Sequence, residues 1–153
     1  MTERKKSGIA GMVEKSVVKT DPPKWAIRLL NEAVDWWCSL GHEKYNPTLN
    51  WKVCNCSYSC GNAEYNDIFV HAGTDRLDAK YVVLHELAHI FSPPREVGKV
   101  NWSVHHDDFW DTAWMLFRWA KLPIKYCKQR TGEYRKGAIR AYERGLRHEI
   151  NKS

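Results

Sequence analysis

Residues 79–91, AKYVVLHELAHIF, restrict the fold more than any other segment: they form a helical run that is apolar on most faces yet carries two histidines and a glutamate. Thr74 to Asp78 offer helix caps before the run, and Ser92-Pro93-Pro94 ends it, because Pro93 pushes Ser92 out of helical geometry. On that helix His85 and His89 stand one turn apart on one face, so both imidazoles reach a single ion about 2 Å from each nitrogen. Glu86 is angled toward the side of the ion that the histidines leave open. There it can take a proton from a water that attacks a carbonyl. Val83, Leu87, Ile90 and Phe91 fill the other faces, so the segment is buried around its polar residues. A solvated polar stripe would carry the same five letters, HELAH, and a third ligand is what separates the two readings.

Catalytic zinc takes three protein ligands and keeps the fourth position open. His105 lies beyond a Pro-containing loop of about ten residues, at the start of the next helical run, VHHDDFWDTAWMLFRWAK. With Phe109 it forms HxxxF, in which the phenylalanine points one turn along the same face and anchors the helix under the metal. His106, Asp108, Asp111 and Glu96 stay open as rivals for the third position. Asp108 also suits a ligand-orienting acceptor, or simply a carboxylate at a helix N-terminus.

The rest of the chain supports one domain. With 153 residues, 43% of them hydrophobic, and eight tryptophans, it can bury a real core. Residues 1–20 read as a mobile arm and 21–153 as the domain. Asp21-Pro22-Pro23 opens a first helix with Trp25, Leu29, Val34 and Trp37 near one face, and Gly41 stops it. Residues 49–72 lack helical period and suit two or three short antiparallel strands. After Leu122-Pro123 a short connection around Tyr126 to Thr131 leads to a last helix, about 132–150. Its inward residues are Ile139, Tyr142, Leu146 and Ile150, and Lys136, Arg140, Arg144 and Arg147 form an outer stripe.

HELAH followed by His105 and Phe109 resembles the pattern of the SprT-like zinc metallopeptidases, the family that includes the Spartan proteases. Gly61-Asn62-Ala63-Glu64-Tyr65 followed by IFVHA is similar to that family's hairpin before the active helix, so the resemblance covers roughly residues 22–120. It implies an α+β zincin-like domain, His85, His89 and His105 as Zn2+ ligands, and Glu86 as the base. It also implies that strand 67–72 lies along the cleft and pairs with an extended substrate backbone. The sequence departs from the pattern in carrying His106 where the family usually has glycine, and it has no cysteine pairs after the core to build a zinc ribbon.

Other features have plainer readings. Five cysteines, with no apolar run suited to an export signal, argue for reduced thiols in a cytoplasmic protein. Cys54, Cys56 and Cys60 read as buried hairpin thiols, and Cys38 and Cys127 as core. His71 is either a substrate contact or a structural histidine. Trp110, Trp114 and Trp119 suit packing better than base stacking. Residues 118–153 hold 11 Lys/Arg against 3 Asp/Glu, whereas residues 1–117 hold 13 against 15, so the net charge of +6 belongs to the C-terminal quarter. That asymmetry suits DNA or another nucleic acid bound through the last helix, or equally a solvated face. No segment approaches the ~18 apolar residues of a membrane span. The sequence therefore leads to a zinc-dependent metallopeptidase acting through a metal-activated water on protein or peptide substrates. Its competitor is a non-catalytic basic nucleic-acid-binding module with a structural three-histidine metal. Structural zinc sites are closed and favour cysteine, which weighs toward the enzyme.

Overall fold

A computed structural model of the chain describes residues 17–93, 95–97, 101–132 and 135–152, with side chains over 17–93, 104–132 and 136–147. The mobile arm expected for residues 1–20 lies outside these limits up to residue 16, and Ile150 and Glu96 lie outside the described side chains. The end of the arm, Val18–Thr20, is strand β1. Among the described residues the architecture is α+β, with five helices, a four-stranded mixed sheet and a two-stranded hairpin. No helix among them is long and apolar enough to cross a membrane.

Helix α1, Lys24–Ser39, buries Ala26, Leu30, Ala33, Val34 and Trp37, a stripe at helical spacing. Pro23 stands at its N-cap, and Gly41 (φ +99°) turns the chain away just after it in a conformation that suits glycine. Strands β2 (Thr48–Val53), β3 (Cys60–Glu64) and β4 (Asp67–Ala72) follow. Ile68, Val70 and Ala72 alternate inward along β4, as a sheet with one covered face requires.

The sheet order is β1-β2-β4-β3. It corrects two expectations. The sheet is not wholly antiparallel: β2 and β4 run parallel, Trp51 beside Val70, because β3 folds back as a hairpin on the outer side of β4. Strand 67–72 therefore has both edges occupied by β2 and β3, and it has no backbone groups left to pair with a substrate. The edge strands are β1 and β3, and β3 is the one beside α2.

Helix α2, Arg76–Phe91, crosses between this sheet and α3, and is buried nearly all round for that reason. Asp75 caps it by accepting from the Leu77 and Asp78 N–H groups. Where a plain loop was expected, strands β5 (Arg95–Val97) and β6 (Asn101–Ser103) pair as a hairpin. Helix α3, Asp107–Trp119, buries Phe109, Trp110, Ala113, Trp114, Leu116 and Phe117.

The supposed connection around 126–131 is mostly helix α4, Ile124–Arg130, begun at Pro123. Helix α5, Arg135–Lys152, then packs on α3. Its inward face differs from the one read off its large apolar residues: Ala138 and Ala141 are buried, Ile139 and Tyr142 only half-buried, and Leu146 exposed. Bulk on the facing helix is the reason. Trp114 reaches across to donate its indole N–H to the Ala138 carbonyl at 2.8 Å, and only small α5 residues allow that approach.

Candidate metal centre

Three imidazoles meet where α2 passes the start of α3. His85, His89 and His105 present ligand atoms all within 4.8 Å of one another, a cluster that could hold a metal ion. Two nitrogens on a tetrahedral zinc, each about 2.0–2.1 Å from it, stand about 3.3–3.4 Å apart. His85 Nε2 and His105 Nε2 are 3.4 Å apart. Burial, first, and the neighbouring imidazoles hold His85 far below the usual histidine range; the same causes lower His89 to about 3. Both rings are therefore neutral, the form that ligates. A backbone hydrogen bond with Val104 orients His89, the kind of support that ligating histidines use.

The neighbouring His106 does different work. It is the N-cap of α3: its Nδ1 accepts the Phe109 N–H at 3.2 Å, while Nε2–H donates to the Pro93 carbonyl at 2.9 Å. With both ring nitrogens engaged, His106 has no lone pair to offer an ion. Of the carboxylate rivals, Asp108 is exposed in the first turn of α3, and Asp111 accepts from Arg144 at 2.7 and 3.1 Å.

Phe109, fully buried, lies under the cluster. Its ring stacks on His89 at 4.2 Å and meets His85 and His105 edge-on, each at 5.0 Å. Trp110 backs His85 and His105 at 5.9 and 5.8 Å. Ring positions fixed by such contacts keep the three nitrogens converging.

The cluster opens on a cleft of about 710 Å³ walled on one side by β3. Glu86 is buried at its base, and burial pushes its carboxyl up to about 7. Gly61 lets the strand come this close. A Cβ there would stand 2.7 Å from Val82 Cγ1, 2.9 Å from the Phe69 carbonyl oxygen and 3.0 Å from Glu86 Cγ. Since the Phe69 carbonyl belongs to the neighbouring strand and cannot move alone, Gly61→Ala is expected to destabilise the fold by ~1–3 kcal/mol. A urea midpoint equal to wild type would show that the strand has room to spare.

Tyr81 and Arg130 also line the cleft, and neither was singled out from the sequence. Tyr81 precedes His85 by one helical turn, so the spacing that joins His85 to His89 could have found it. Arg130 carried no such signal, because α4 itself was not foreseen.

Elsewhere, His71 is half-buried on β4 and is not among the residues lining the cleft. Trp110 and Trp114 are core residues, and Trp119 stacks on Trp36 at 5.5 Å. Two of the four stripe cations turn toward α3: Arg144 to Asp111, and Arg140 to Asp107 at 4.0 Å. Lys136 and Arg147 are exposed. The cysteine expectation is corrected as well. Cys54 and Cys56 are joined in a disulfide, their Cα atoms 5.6 Å apart, and Cys60 is exposed at the cleft wall. Cys127 is buried, and burial holds its thiol near 12. Compared with known proteins, the chain matches no family model, no curated protein and no solved structure.

Proposed function

We propose that the chain is a zinc-dependent metallopeptidase of SprT-like, zincin-like type that hydrolyses peptide bonds. The observation that carries this reading is the joint placing of three imidazole donors, a buried carboxyl and the outer edge of strand β3 around one cleft. Zinc, when bound, polarises the scissile carbonyl and acidifies water. All other steps belong to the chain's own side chains and backbone. Among the described residues no strand pairs with the outer edge of β3, whose N–H and C=O groups can hold an extended peptide along the cleft as an added strand. Glu86 takes the proton from the attacking water and gives it to the departing amine, a role suited to a carboxyl whose affinity for a proton has been raised toward neutrality. Phe109 and Trp110 close the floor and keep bulk water from behind the ligands.

Metal analysis of wild type beside His105→Ala and His106→Ala tests the site. About one zinc per chain is expected for wild type, with His105→Ala losing at least ~100-fold in affinity, beyond what outer orienting groups cost. His106→Ala should keep its zinc and lose about 1 kcal/mol of stability, the worth of a helix cap. Wild type that takes up no zinc, or His106→Ala that loses it while His105→Ala does not, would overturn the ligand set. Zinc-loaded wild type should cleave an unstructured protein, and a chelator should stop it.

A further inference from the structure

Arg130 lines the cleft beside Tyr81 on helix α2, and its bonding is incomplete in an informative way. Its Nε donates to Asp78 at 2.7 Å, and its Nη2 to the Ser59 carbonyl at 2.6 Å and to Asp78 at 3.4 Å. Among the described residues Nη1 has no acceptor. Asp78, almost wholly buried, also accepts from the Ser59 N–H at 2.5 Å and from the Tyr126 hydroxyl. The guanidinium is thus fixed on one side by a filled carboxylate, while the side chain keeps 26% of its surface open and lines the cleft. A pair that served only to tie α4 to α2 would need none of that opening.

Position defines the ligand. The guanidinium carbon lies 5.2 Å from the Tyr81 ring, which lies 5.8 Å from His85. Extended chain advances ~3.3 Å per residue, so a group two or three residues from the cleaved bond reaches this point. From these contacts we infer that Arg130 is a specificity-determining residue whose free Nη1 edge binds a single carboxylate of the peptide, making the cleft select an acidic residue on the His85 side of the cleaved bond. This rests on the peptidase reading. Glu64 and Glu86 stand in the same lining and oppose a polyanion, whereas one planar carboxylate matches one guanidinium edge.

The test uses zinc-loaded full-length protein and unstructured peptides that are identical except for Glu or Gln at one position, walked along both sides of the cleavage point. Wild type should prefer Glu by at least ~10-fold in kcat/KM at one position on one side only, through KM. In Arg130→Gln the Glu-to-Gln ratio should fall below about two, and likewise in Asp78→Asn/Arg130→Gln, which leaves no unpaired buried charge should the single variant fold poorly. A purely structural Arg130 slows both peptides alike and leaves the ratio intact, so a surviving ratio, or a wild-type ratio near one at every position, overturns the inference. Calorimetric binding of the same peptides to zinc-loaded Glu86→Gln protein separates the two proposals. If wild type cleaves nothing, the peptidase reading fails; tighter binding of the Glu peptide that Arg130→Gln abolishes still supports the carboxylate site, and equal binding refutes it.

Discussion

Glu86→Gln is expected to keep its zinc and its fold while peptide cleavage falls by ~10²–10⁴, the usual worth of a positioned proton acceptor. The amide matches the carboxyl in size and leaves His85, His89 and His105 untouched, so the loss isolates proton transfer. A second consequence runs the other way. In the metal-free protein burial raises this carboxyl from 4.5 to about 7. Its contribution to stability is then fully present below pH 4.5 and is lost as pH rises through about 7, where folding must hold a buried charge. Glutamine never ionises. Glu86→Gln should therefore match wild type near pH 4 and exceed it at pH 8, by up to ~3 kcal/mol, when both are unfolded in urea with a chelator present. Cleavage within tenfold of wild type would remove Glu86 from the proton path, and equal metal-free stability at pH 8 would mean that water reaches the carboxyl freely.

Removing the Asp78 carboxylate should rank with the costliest single changes in the described core. Asp78→Ala strands the Arg130 charge, the Ser59 N–H and the Tyr126 hydroxyl together, and breaking a buried pair from one side costs ~3–5 kcal/mol. Taking both charges away in Asp78→Asn/Arg130→Gln should cost less than the two single changes summed, the coupling expected of groups in one network. Burial alone would raise the Asp78 carboxyl, but hydrogen bonds from Arg130, Tyr126 and Ser59 outweigh it and bring it below its ordinary 3.8. The stability it contributes is present above 3.8 and is lost as pH falls through the lower folded value, so the gap between wild type and Asp78→Asn should close only in that acid range. A cost below ~1 kcal/mol for Asp78→Ala in urea unfolding would place the pair with exposed ones.

Local chemistry explains what could be read from the sequence. Helix α2 was legible at both ends, since Asp75 caps it and Pro93 forbids its extension, and the one-turn spacing of His85 and His89 is a property of any helix. The third histidine was legible as a choice among neighbours. What decides between His105 and His106 is the Pro93 carbonyl and the Phe109 N–H, contacts that adjacent letters do not encode. The parallel pairing of β2 with β4 was hidden because residue alternation marks a strand's covered face and is silent about its direction. The α5 face was misjudged by weighing size alone, when Trp110 and Trp114 on α3 had already claimed the volume and left room for alanine. Arg130 joins Asp78 across 52 residues through a seven-residue helix too short to announce itself by periodicity.

His106 couples the residue range just after α2 to the first turn of α3 through one ring. Closing the intervening chain carries an entropic cost that grows with its length, and these protein contacts meet that cost before any ion arrives. If the cluster takes a metal as proposed, capture would resemble filling a finished socket, unlike small zinc domains in which ligation and folding are one event. Loading becomes a matter of stripping water from the ion and admitting it through the cleft. On the peptidase reading, a chain that folds before it is loaded would wait in a latent metal-free form until zinc is supplied.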